Sequence, residues 1–222
     1  MASILIVGDS WGVPNYYGPP GVPKTHHTEF LLKAMGHKVY NCSLNGSSNL
    51  TSLQKAKSFV ASHTEPFEYL LWFHTELFRE SSLVDYTSGI EKNLHTIADI
   101  VYGEYASFIN QHKLKLCAIG GQANLLPKLF NYMDPIFHIM DWRQDILGMD
   151  LPNGLHLIAR NYDWIPKLAK DTQTKIELLT NQKIILDAME YSTDFPDNCH
   201  PGTLPHQNLA NKLNFLFNNM QP

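Results

Sequence analysis

The sequence predicts an α/β domain in which a parallel β-sheet is covered on both faces by helices. Three observations carry this expectation. Strand-length runs recur at Ser3–Val7, Lys38–Leu44, Tyr69–Phe73 and Leu114–Ile119. Segments with apolar residues at helical intervals separate them. The runs end on small or polar clusters: Gly8-Asp9-Ser10, Asn45-Gly46, His74-Thr75-Glu76 and Gly120-Gly121-Gln122. In parallel sheets, ligands bind beyond such carboxyl ends. The chain has 222 residues, with no internal repeat and no linker-like stretch, so residues 1–222 read as a single domain.

The elements follow in order. Ser3–Val7 is a buried first strand that stops at Gly8. Trp11–Lys24 is rich in Gly, Pro and Tyr, lacks periodicity and reads as an ordered surface loop. Thr25 or Thr28 is placed to cap a helix that runs to about Met35, with Gly36 just beyond it. Lys38–Leu44 is the second strand, Asn45–Asn49 a turn and Leu50–His63 a helix. Tyr69–Phe73 is the third strand. Ile90, Leu94, Ile97, Val101, Tyr105, Phe108 and Ile109 define one apolar face of a long helix over Ile90–Gln111. Leu114–Ile119 is the fourth strand and Ile136–Met140 the fifth. Asp141–Ile165 carries short helices at most, and Thr172–Tyr191 and Pro205–Asn218 read as two further helices.

Composition narrows the function classes. Apolar residues make up 44% and charged residues 17%, and the net charge is −4, with no basic run. That balance argues against a nucleic-acid surface. No stretch approaches the roughly 18 apolar residues of a membrane span. The first eight residues lack the charged start and longer apolar run of a signal peptide, so the expected setting is the cytoplasm. Cys42, Cys117 and Cys199 are odd in number and far apart, which disfavours a disulfide framework. Cys42 and Cys117 lie in strand-like runs and read as buried thiols, and Cys199 stands beside His200.

Two segments carry chemistry. Ser10 directly follows the first strand, on a turn at the ligand edge, where a hydroxyl is placed for attack or for capping the turn. Asp197 and His200 stand three residues apart in a loop before the last helix. A carboxylate there can hold Nδ1–H of the imidazole and leave Nε2 to take a serine proton. Serine, aspartate and histidine in this order let opposite ends of the chain meet at one sheet edge.

At these residues the chain resembles the SGNH hydrolases, also called GDSL-like lipases and esterases. Gly8-Asp9-Ser10 resembles the family's nucleophile block, and Asn41-Cys42-Ser43-Leu44-Asn45-Gly46-Ser47-Ser48 its second block. Asp197-x-x-His200-Pro201 resembles the block that carries the base. The resemblance implies a three-layer α/β/α sandwich, flavodoxin-like, with about five parallel strands. It also implies cleavage of an ester, thioester or O-acetyl group with no cofactor. Ser10 would be the nucleophile, His200 the base and Asp197 its orienting acid, and the N–H groups of Ser10 and Gly46 would form an oxyanion hole. The third block departs from the pattern. Where the family has Gly-x-Asn-Asp, this chain reads Phe73-His74-Thr75-Glu76. Thr75 takes the place of the asparagine donor, with His74 as a substitute. A Thr hydroxyl donates once and reaches less far than an amide.

Asp9, Trp11, His74 and Glu76 are candidate cleft residues, and Trp11, Tyr16 and Tyr17 offer flat faces at an entrance. Trp142, Tyr162 and Trp164 are candidates for the far side of the cleft, with core packing as the favoured alternative, and His206 reads as a surface residue. Expected partners are a small-molecule or carbohydrate-linked ester, with no nucleic acid. Gly8-Asp-Ser10-Trp-Gly12 also fits the G-x-S-x-G elbow, but that fold places several strands before the serine. Asp9, His26, His27, His74, Glu76 and His200 lack metal-ligand spacing, so no metal is expected. The rival from another class is a binding or structural protein of the same fold whose altered third block has weakened or removed hydrolysis.

Overall fold

A computed structural model describes residues 1–14, 26–75, 77–80, 83, 90–120, 132, 138–141 and 203–219. Five parallel strands form one sheet: β1 (Ser3–Gly8), β2 (Lys38–Asn41), β3 (Tyr69–His74), β4 (Lys115–Gly120) and β5 (His138–Asp141). Their order is β2-β1-β3-β4-β5. This is the flavodoxin-like order, and its switch point lies between β1 and β3. The described helices are α1 (Thr28–Ala34), α2 (Asn49–Ser62), α3 (Ile90–His112) and α4 (Thr203–Asn219).

Strand alternation sorts the core into two halves. Ile4 and Ile6 of β1, with Tyr69, Leu71 and Phe73 of β3, pack against Leu32 of α1 and Leu209, Ala210, Leu213 and Phe217 of α4. Leu5 and Val7, with Leu70 and Trp72, face Leu53 and Ala56 of α2 and Ile97, Val101, Tyr102, Tyr105 and Phe108 of α3. Helices therefore cover both faces, and the three-layer expectation holds. The Trp72 and Tyr105 rings stack at 3.7 Å with planes 13° apart, which anchors α3 under the end of β3. Cys42 and Cys117 are buried free thiols, and burial pushes the Cys117 thiol up to about 12.

Two boundaries differ from expectation. Strand β2 ends at Asn41, although Cys42 N–H donates to Ile6 O at 2.8 Å and Leu44 N–H to Gly8 O at 3.0 Å. The Asn41 side chain accepts from Ser43 N–H at 2.9 Å and turns the chain early. The cap of α1 is His27, whose Nδ1 accepts from Glu29 N–H at 3.2 Å. Thr28 is instead the first helical residue, and its hydroxyl lies 2.9 Å from Nδ1 of His206. The expected helix over Thr172–Tyr191, residues 142–165, Thr25 and most of the Trp11–Lys24 loop lie outside the described residues, while Asp141 ends β5. Among the described residues no helix is long and apolar enough to cross a membrane.

Candidate functional site

Ser10 begins a short 3₁₀ turn, Ser10–Gly12, at the carboxyl end of β1 and so at the β1/β3 switch point. Steric fit explains the residues around it. Gly8 has φ +153°, and a Cβ there would lie 2.5 Å from Cβ of Phe73 on the paired strand. A Cβ on Gly12 would lie 2.3 Å from Oγ of Ser43. Side chains at either position would push the serine turn off the sheet. Ser10 itself is 7% exposed, a narrow opening at this edge.

Asp9 is the inner anchor of the turn. It is 0% exposed. Its Oδ1 accepts from Trp11 N–H at 3.0 Å and caps the 3₁₀ turn. Its Oδ2 accepts from the Thr75 hydroxyl at 3.0 Å and lies 3.7 Å from an Arg79 guanidinium nitrogen. Thr75, the residue that directly follows β3, is thereby tied to the serine turn across the switch point. Asn49, the first residue of α2, completes the tie. Its side-chain oxygen accepts from Thr75 N–H at 3.0 Å and from the Trp72 indole at 3.2 Å. Its Nδ2 donates to Thr75 O at 3.0 Å.

Gly46 lies on the neighbouring turn after β2. It is exposed, has φ +67°, and a Cβ there would meet nothing within 4 Å. The Ser47 hydroxyl donates to Gly8 O at 3.1 Å and fastens this turn to the end of β1. Glu80 is 4% exposed and accepts from Leu50 N–H at 3.1 Å, while the Ser48 side chain caps α2 through Thr51 N–H. Burial pushes the Glu80 carboxyl above the usual range, against the pull of those hydrogen bonds.

On the other sheet face, the turn meets two imidazoles. His27 and His206 are 2% and 3% exposed, with ring centroids 4.3 Å apart. His27 Nε2 lies 3.4 Å from Trp11 O. Because Nδ1 accepts from Glu29 N–H, Nε2 carries the ring proton and donates to that carbonyl. Burial is the main reason that the His27 pKa falls to about 4, with the Trp11 carbonyl and Glu29 opposing it.

The structure revises several sequence expectations. Asp9, Trp11 and His74 are 0–1% exposed, so they are interior residues rather than cleft walls. His74 packs beside Trp72 and Tyr102, with centroids 5.1 and 6.0 Å away. His206 is interior as well, because it docks α4 on His27. Thr75 reaches the site, but its hydroxyl proton is directed to Asp9. Ser10, Gly46 and Thr75 come to one edge. Glu76, Asp197, His200, Cys199, Tyr16, Tyr17, Trp142, Tyr162 and Trp164 lie outside the described residues. Among the described residues no group of three or more His, Cys, Asp or Glu is arranged to hold a metal. Asn49, Arg79 and Glu80 were not anticipated. Asn49 carried one signal, since it closes the Gly46-Ser-Ser48 turn at a helix start.

Comparison with solved structures supports the fold. One crystal structure, 13% identical, superposes with a TM-score of 0.51 over 99% of this chain and 98% of its own. The chain is also similar to a carbohydrate acetylesterase family member from Sinorhizobium meliloti, at 11% identity and a TM-score of 0.47, covering 98% of this chain and 97% of that one. A third is Axe2, an acetylxylan esterase from Geobacillus stearothermophilus, at 14% identity and a TM-score of 0.45, covering 100% and 95%. The two named neighbours are esterases, and at these identities the likeness speaks to fold alone. No family model matches the chain, and no curated protein matches it in sequence.

Proposed function

We propose that this chain is a single-domain serine ester hydrolase, with Ser10 as nucleophile and His200, oriented by Asp197, as base. The observation that carries this reading is the setting of Ser10. It stands at the β1/β3 switch point beside the exposed Gly46 turn, and α4, which begins at Thr203 just after His200, is linked to the serine turn through His206, His27 and Trp11. In this reading Ser10 Oγ attacks the ester carbonyl while His200 Nε2 takes its proton. The N–H groups of Ser10 and Gly46 hold the oxyanion, each worth roughly 3–4 kcal/mol. The alcohol leaves with the proton from His200, and a water activated by His200 releases the acid and regenerates Ser10. An O-acetyl group on carbohydrate is the first substrate to try.

A second reading has one observation in its favour. The Thr75 hydroxyl, at the position of the family's third oxyanion donor, donates to Asp9. A hole with two donors forfeits about 10²–10³ in rate, which fits a protein that binds an ester or sugar and turns it over slowly.

A fluorophosphonate probe separates the two without knowledge of the substrate. The hydrolase reading expects labelling of the wild type and none of Ser10→Ala, with little on His200→Ala. It also expects turnover of a chromogenic acetyl ester that rises with pH through about 6–7 as the base loses its proton. Absence of labelling, with no turnover across acyl lengths, leaves the binder.

A further inference from the structure

Next to the serine turn, a cleft of about 550 Å³ opens between the start of α2 and the segment after β3. It is lined by Gly46, Ser48, Thr51, Gln54, Arg79 and Glu80, together with Ser47 and Leu50. It adjoins the proposed chemistry at two points. Gly46 is the candidate oxyanion donor, and Arg79 lies 3.7 Å from the Asp9 carboxylate, one residue before Ser10. The volume falls in the usual range for small-molecule sites.

The lining decides what such a cleft accepts. Leu50 supplies the one large apolar side chain among the eight residues. A long acyl chain gains about 0.8 kcal/mol per methylene only where it meets apolar walls, and here it would strip water from hydroxyl, amide and charged groups. An anion is equally poorly served. The N–H groups at the start of α2 already serve Ser48 and Glu80, and an incoming negative charge would meet the Glu80 carboxyl. Arg79 is ion-paired with Asp9, so the two charged walls present one sign each. Thr51 and Gln54 stand exposed on α2, along the outer wall. A neutral ligand with many hydroxyls matches this pattern of donors and acceptors.

We propose that this cleft receives the alcohol side of the ester as a neutral, hydroxyl-rich group such as a sugar unit, and that Thr51 and Gln54 determine that preference. The proposal rests on the hydrolase reading for its kinetic consequence and stands without it as a sugar-binding site. The kinetic test compares an O-acetylated glycoside with a small aryl acetate as substrates for the wild type, Thr51→Trp and Gln54→Trp. Both substitutions fill the cleft from an exposed helix position, and thermal melting confirms folding. The expected result is a fall of about tenfold in the ratio of glycoside to aryl acetate kcat/KM, expressed mainly in KM. A ratio that stays within about twofold of the wild type for both variants overturns the proposal.

Calorimetric titration with a neutral xylo-oligosaccharide supplies the second arm. Binding that is lost in Gln54→Trp supports the site even in a protein that fluorophosphonate does not label, and then only the hydrolase reading fails. Labelling of Ser10 with no oligosaccharide binding and an unchanged ratio overturns the sugar site and leaves the hydrolase intact.

Discussion

Asp9 and His27 are both buried against the turn that carries Ser10, and the fold treats them in opposite ways. Asp9 is surrounded by donors: Trp11 N–H, the Thr75 hydroxyl and, at 3.7 Å, the Arg79 guanidinium. His27 is kept as a neutral ring, flanked by a second imidazole and held to a single tautomer by Glu29 N–H and Trp11 O. The two meet at one residue. Trp11 gives its N–H to Asp9 and its carbonyl to His27, so the peptide after Ser10 is pinned from both sheet faces. One anchor is a carboxylate that needs its partners, and the other is an imidazole that must stay unprotonated. A buried charge is tolerated where donors converge, and a buried base stays neutral where they do not.

Removing the carboxylate is the largest expected blow to this arrangement. In Asp9→Ala the Thr75 hydroxyl, Trp11 N–H and Arg79 lose their shared acceptor at a site with no exposure. Breaking a buried charged pair typically costs about 3–5 kcal/mol. Urea unfolding at neutral pH should show a loss of that size. A change below about 1 kcal/mol, within the range of ordinary surface substitutions, would mean that His27 and the glycine fit hold the turn without Asp9.

The same contrast marks what the sequence disclosed. Strands β1, β3 and β4 were legible because parallel strands buried on both faces read as apolar runs, as in Tyr69–Phe73. Ser10 and Gly46 were legible because local sequence alone, a strand end followed by a glycine turn, fixes their place. Asp9 and His74 were misread as cleft residues, since a polar residue at a strand end carries no local mark of the side chains that will cover it. Asn49 and Arg79 were missed for the related reason that their partners are distant in sequence: Asn49 meets Thr75, and Arg79 meets Asp9. His206 looked like a surface histidine on an amphipathic helix, and only the approach of α4 to α1 makes it interior.

Acid should release the His27 anchor. Its pKa is about 4 in the folded chain against an ordinary 6.5. Below pH 6.5 an unfolded chain binds a proton that the folded one refuses. The stabilisation is therefore complete above pH 6.5 and is lost progressively down to about pH 4. Two and a half units correspond to about 3 kcal/mol. Glu80 works in the opposite direction, because its raised pKa lets the folded chain hold a proton more firmly. The informative quantity is thus the difference between wild type and His27→Asn, which keeps a good helix cap. Denaturation midpoints followed from pH 7 to pH 4 should fall more steeply in the wild type. Parallel curves would show that His27 does not carry the acid sensitivity.

The smallest effect is expected at the Gly46 turn, which the Ser47 hydroxyl ties to Gly8 O but which leaves open space at Gly46 itself. Gly46 has φ +67° and open space where a Cβ would project. Gly46→Ala should therefore cost only the left-handed conformation, about 1–2 kcal/mol. The N–H proposed to bind the oxyanion survives the substitution. The fall in kcat should accordingly stay well short of the roughly 10²–10³ expected for a lost donor. A fall that reaches that range, with stability barely changed, would show that the added methyl occupies the carbonyl's own position and would place the reacting ester directly over Gly46. A large loss of stability with kcat preserved would instead show that the turn depends on packing, as the Asp9 side does.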